Sequence, residues 1–173
     1  MEEKTEFSIE VFKLEQPIYV LGRTIRVTHG TPECTPAINT LKSDFLANDV
    51  PAKIPHLHKP VKRFAVCKDH YVPSEGLIEF TYMTGVQIKN PIKENLPDNM
   101  EQHIIPEGDY VRIKVSAPDA DTAIGTAYVN LSNWANEQTE WDCGGEFEVY
   151  PNETTDAEME FWYGLKRKNV LPR

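Results

Sequence analysis

Two glutamates and a tyrosine alternate with apolar residues in Gly144-Gly145-Glu146-Phe147-Glu148-Val149-Tyr150-Pro151, the stretch best supplied for chemistry. In an extended strand over 145–150, Glu146, Glu148 and Tyr150 point to one face, while Phe147 and Val149 point to the other. A second strand, expected over 158–168, divides the same way. Met159, Phe161, Tyr163 and Leu165 take one face, and Glu158, Glu160 and Trp162 the other. If the apolar sets share a core, the opposite face combines carboxylates with Tyr150 and Trp162. Such a face suits a flat cationic guest, because rings offer stacking and cation–π attraction and a carboxylate offers counter-charge. Glutamates alternating with core residues are also the pattern of a solvated surface, and alternation alone favours that reading.

Other candidates carry less. Tyr82 and Thr84 lie on a strand of the first half, and Tyr82 is either core or cleft lining. Tyr128 and Trp134 fall on an apolar helix face, where packing accounts for them. His56-x-His58 has a spacing that can bind metal, but it sits in a proline-rich loop with no cysteine or carboxylate set at ligand spacing, so no metal site is expected. There is no nucleophile elbow, phosphate loop, HExxH or dinucleotide fingerprint, so no cofactor is expected either.

Length and charge narrow the function classes. A chain of 173 residues fits one domain with a real core. A net charge of −9 argues against direct nucleic-acid binding, which needs clustered Lys and Arg, and suits a cationic ligand or simple solubility. No apolar run is long enough for a membrane helix. The acidic start Met1-Glu2-Glu3-Lys4 lacks the apolar core of a secretory signal. Three cysteines without a CxxC pair read as reduced thiols in the cytoplasm.

The elements that position these residues follow from spacing. Phe7, Ile9 and Val11 alternate as a short edge strand, and Ile18–Thr28 has the β-branched content of another. A helix is expected from a cap at Thr35 with Pro36 first, carrying Ile38, Leu41, Phe45 and Leu46 on one face and ending near Asn48. A proline-rich loop fills 48–61. Strands follow at 64–68 and 77–89, then a polar linker, then a strand from about His103 to Ser116 kinked at Pro106-Glu107-Gly108. The second helix, 119–138, shows Ile124, Ala127, Tyr128, Leu131, Trp134, Ala135 and Gln138 at steps of three and four, with Asp119 or Asp121 as cap.

This order repeats. Gly22-Arg-Thr-Ile-Arg26-Val27 matches Gly108-Asp-Tyr-Val-Arg112-Ile113. Phe64-Ala-Val66 matches Phe147-Glu-Val149, and Glu79-Phe80-Thr-Tyr82 matches Glu160-Phe161-Trp-Tyr163. The expected fold is therefore α+β. Two βαββ units, about 18–89 and 101–168 of a single domain, form an antiparallel sheet with pseudo-twofold symmetry. Two helices lie on one side of it, and a ligand cleft lies between the halves.

The same residues resemble the GyrI-like effector-binding family, and within it the stand-alone integron-associated branch. The likeness rests on Val20-Leu-Gly-Arg-Thr-Ile-Arg-Val27, Phe80-Thr-Tyr-Met-Thr-Gly-Val86, Ile105-Pro-Glu-Gly-Asp-Tyr-Val-Arg-Ile113, Asp142-Cys-Gly-Gly-Glu-Phe-Glu-Val-Tyr-Pro151 and Glu160-Phe-Trp-Tyr-Gly-Leu-Lys166. The resemblance implies a domain, related to the ligand domain of AraC-type regulators, that binds lipophilic, often cationic, multidrug-like molecules. It places the cation-meeting glutamate at Glu148. Tyr82, Tyr150 and Trp162 are then wall candidates by geometry. The stretch before residue 18 leaves no room for a helix-turn-helix, and the 48–61 loop is less familiar.

A ligand sensor or sequestering protein is thus the first expectation. A hydrolase of reactive small molecules is the second, with Glu148 activating a water and Tyr82 or Tyr163 donating a proton. A protein-interaction module, meeting a regulator or other protein partner through its acidic surface, is the third. Haem is not expected, since no histidine stands on a predicted cleft strand as an axial ligand.

Overall fold

The structure, a computed structural model, describes residues 4–47, 50–153 and 155–169. In chain order its elements are β1 (Glu6–Leu14), β2 (Ile18–Thr28), α1 (Cys34–Leu46), β3 (Arg63–Tyr71), β4 (Glu79–Ile88), β5 (Glu101–Ile105), β6 (Gly108–Ser116), α2 (Ala120–Glu137), β7 (Trp141–Tyr150) and β8 (Glu158–Arg167). They form two compact units, one continuous over Pro17–Ile105 and one joining Met1–Gln16 to Pro106–Arg173. Among the described residues each unit holds four antiparallel strands and one α-helix, so the chain is α+β. Among the described residues no helix is long and apolar enough to cross a membrane.

In the continuous unit the strand order is β3-β4-β2-β5. Leu21 stands opposite Val86, and these two join Phe45 of α1, Ile54 and Ile88 in a buried cluster. Gly22 faces Gly85, and the two strands are close there; a Cβ on Gly22 would fall 2.0 Å from the Thr84 carbonyl oxygen. The proline-rich segment is part of this core. Ile54 is buried in the cluster, and Val50, Leu57 and Val61 pack against it. Its backbone bonds the end of β4, with His58 N donating to Gln87 O and Lys89 N to His56 O. Helix α1 starts earlier than expected, at Cys34. Glu33 precedes it without a side-chain capping bond, and Pro36 sits inside the first turn, where its missing N–H costs nothing. The predicted end near Asn48 lies outside the described residues.

In the discontinuous unit the order is β1-β6-β8-β7. Asp119 caps α2 as its sequence position predicts, accepting from Thr122 N at 2.8 Å. That backbone bond, with a second from the Thr122 hydroxyl, holds the Asp119 carboxyl below the usual range. Ala123, Ala127 and Leu131 form the buried stripe of α2. Tyr128 packs on Phe161 of β8 with centroids 4.4 Å apart, which fixes the sheet face that α2 covers.

Two strand expectations need correction. The single strand 103–116 is two strands, broken at Pro106 and Glu107, that serve different units: β5 pairs with β2, whereas β6 pairs with β1 and β8. Proline cannot donate to a ladder, and Gly108 at φ +147° turns the chain. The glycine pair 144–145 does not bound β7 but lies inside it. Gly145 has φ +73°, and the pairing with β8 shifts by one residue there, as at a bulge.

Strand pairing supports two of the three repeat matches. Ile25 opposes Tyr82 and Val111 opposes Tyr163; Val27 opposes Phe80 and Ile113 opposes Phe161. The third match fails at the level of the ladder. Phe64 stands opposite Gly85, whereas Phe147 stands opposite Trp162, next to Phe161.

Candidate functional site

Glu148 is 3% exposed, and among the described residues it is the only carboxylate buried to that degree. It sits near the end of β7, where Phe147, Val149 and Tyr150 are buried as well. Residues two apart on a strand share a face, and this spacing brings the Tyr150 hydroxyl to 2.5 Å from Glu148 Oε2, to which it donates. The pairing with β8 decides which face that is. Glu148 lies opposite Phe161, and directly opposed residues in an antiparallel pair point the same way. Glu148 and Tyr150 therefore share the face that α2 covers, with Met159, Phe161 and Tyr163. The Tyr163 hydroxyl in turn lies 3.3 Å from Ser132 Oγ on α2.

The expected grouping of Glu148, Tyr150 and Trp162 on one face is thus overturned. The alternation within each strand is as predicted, but the apolar set of β7 does not meet the apolar set of β8. Trp162 opposes Phe147 and Arg112, on the face away from α2. There its ring meets Phe12 edge-on at 4.8 Å and Tyr110 at 5.9 Å, and Nε1 donates to Glu160 Oε2 at 2.8 Å. Arg112 stacks over Phe12 at 4.4 Å and pairs with Glu10 at 2.6 Å. Trp162 is therefore a packing residue of a second aromatic layer. Sequence reading missed that layer because Phe12 falls out of phase with Phe7, Ile9 and Val11. Burial pushes the Tyr110 hydroxyl up in pKa, and the hydroxyl donates to the Pro106 carbonyl at 2.6 Å.

Tyr82 belongs to the continuous unit. It is 2% exposed on the α1 side of that sheet, opposite Ile25 and Cys67, and Lys42 Nζ lies 5.9 Å from its ring centroid. Its ring thus already faces a cation of its own unit. Two surface grooves of the discontinuous unit, of ≈ 380 and ≈ 370 Å³, are lined by neither Glu148 nor Tyr150. Among the described residues no group of three or more His, Cys, Asp or Glu is placed to hold a metal ion.

A family model described as integron-associated effector binding protein matches residues 14–165. The chain belongs to that family. Its coarse function is accordingly small-molecule binding. No curated protein matches the chain. Among solved structures, the integron cassette protein VCH_CASS2 from the mobile metagenome of Vibrio cholerae superposes with TM-score 0.69 at 15% identity, over 95% of this chain and 100% of that one. SAV2435, solved bound to tetraphenylphosphonium, gives 0.63 at 12% identity over 94% and 95%. The C-terminal domain of EcmrR gives 0.55 at 16% identity over 95% and 99%. At these identities the likeness shows a common fold.

Proposed function

We propose that this protein binds lipophilic cations through Glu148, with Tyr150 as the partner that holds the carboxyl in place, and acts as a ligand sensor or sequestering protein. The observation that carries the reading is a carboxyl side chain 3% exposed, hydrogen-bonded by a buried tyrosine among aromatic neighbours. Taking a carboxylate out of water is costly, and an incoming cation offsets that cost where a neutral guest of the same shape cannot. Tetraphenylphosphonium, bound in a solved protein of the same fold, is the ligand to try first.

The test is a tryptophan-fluorescence titration of wild type and Glu148→Gln with tetraphenylphosphonium and with neutral triphenylphosphine oxide. The substitution is expected to weaken cation binding at least about tenfold, or ~1.4 kcal/mol, and to leave the neutral compound nearly unaffected. Equal affinity for the cation before and after would remove Glu148 from the site. The second reading, a hydrolase in which Glu148 activates a water, rests on the same buried carboxyl, with the Tyr150 hydroxyl beside it in place of the expected Tyr82 or Tyr163. Product formation from electrophilic cyclopropane-containing compounds, lost in Glu148→Gln, would favour it; absence of turnover leaves binding.

A further inference from the structure

Strand β1 ends the strand order, and among the described residues no strand pairs with its outer edge. Its register with β6 runs unbroken from Glu6–Ser116 to Leu14–Gly108, so no bulge interrupts the strand. Open edges invite another strand, and proteins usually blunt them with proline, bulges or several charges. β1 has no proline, no glycine and no bulge; of its three charged residues, Glu6 and Lys13 lie at or next to the ends and Glu10 is paired with Arg112 and Lys114 of its own unit. Phe7 and Val11 are each 51% exposed there, although their partners Val115 and Val111 are buried.

We propose that this edge is a self-association site, at which β1 of two copies pairs antiparallel about Ile9. A strand meeting its own copy must pair symmetrically, and residues directly opposed share a face. Centring on Ile9 sets Phe7 against Val11, Ile9 against Ile9, Ser8 against Glu10 and Glu6 against Phe12. A centre at Ser8 sets Glu6 against Glu10. A centre at Glu10 opposes Glu10 to itself and Phe7 to Lys13. Of these three, Ile9 alone joins apolar to apolar without opposing like charges.

The local charges are also prepared for a second acidic chain. Glu10 is bound by Arg112 at 2.6 Å and by Lys114 at 3.1 Å, and these contacts, Arg112 first, hold its carboxyl below the usual range. The acid nearest the seam thus arrives with its counter-charge already in place. The net charge of −9 on each copy opposes association at long range, so added salt strengthens it.

Sedimentation over a range of concentrations tests the proposal on the full chain, with Phe7→Glu and Val11→Lys as variants. Wild type is expected to dimerise, more tightly at higher salt. Each single variant is expected to raise the dissociation constant on the order of tenfold. An equimolar mixture of the two restores dimerisation, because position 7 of one copy then meets position 11 of the other as Glu against Lys. Circular dichroism confirms that both variants fold. A wild-type monomer up to hundreds of micromolar overturns the proposal without recourse to any variant. So does a wild-type dimer that both variants leave intact, or a mixture that dimerises no better than its parts, since each would place the interface elsewhere.

Discussion

The Tyr150 hydroxyl is the group whose removal reports most directly on the candidate site. Tyr150→Phe keeps the ring in the core and takes away one donor from a buried carboxyl oxygen. Bonds of this kind contribute about 1–3 kcal/mol, so urea unfolding of the variant is expected to show a loss of that size. Tetraphenylphosphonium should add less stability to the variant than to wild type, since stabilisation by a ligand follows its affinity and the carboxyl is no longer held in place. A variant with an unchanged urea midpoint would show that the bond contributes nothing. The Glu148–Tyr150 pair was legible in the sequence because two-residue spacing alone puts both on one face. The place of Trp162 was not. It depends on how β7 and β8 slide past each other, and a slip of one residue exchanges faces. The bulge at Gly145 shifts that offset by one residue, and the order of residue types does not announce it.

Helix α2 was legible for physical reasons of the same local kind. Its cap, its apolar stripe and its length all lie within one stretch, and Asp119 begins it as predicted. Helix α1 has no capping side chain, so nothing in the sequence marks its start. The break between β5 and β6 was read as a kink because proline signals a lost bond, not a change of partner. Gly22 gives the sharpest test of an element. A methyl there would meet the Thr84 carbonyl at 2.0 Å and Gly85 Cα at 2.5 Å, both backbone atoms that cannot swing aside. Gly22→Ala is therefore expected to cost at or above the roughly 1–3 kcal/mol typical of overpacking. Gly144→Ala, with nothing within 4 Å of the added carbon, should stay within about 0.5 kcal/mol of wild type. Thermal unfolding of both variants checks the pair, and similar melting temperatures would contradict the close approach of β2 and β4.

Over the whole molecule, the duplication was legible because two of its three matches fall on strands β2, β4, β6 and β8, whose pairing repeats. The insertion of one unit within the other was not, because edge strands are assigned by pairing and not by position in the chain. Residues 1–16 belong with 106–173, and β1 supplies both the Phe12 ring against Trp162 and the Glu10 that pairs with Arg112. Deleting residues 1–16 is expected to lower the melting temperature, and a synthetic peptide of those residues, added in trans, to restore it. A truncated chain as stable as the full one would show β1 to be dispensable. The long reach of this pairing also has a consequence during synthesis. β1 leaves the ribosome ahead of β6, which follows roughly a hundred residues later, about 5–20 s at ordinary elongation rates. Throughout that interval β1 has two unsatisfied edges and an apolar stripe without a sheet beneath it. On a crowded polysome its nearest copy is the β1 of the neighbouring nascent chain, so the strand most suited to joining finished proteins is also the one most exposed to premature pairing.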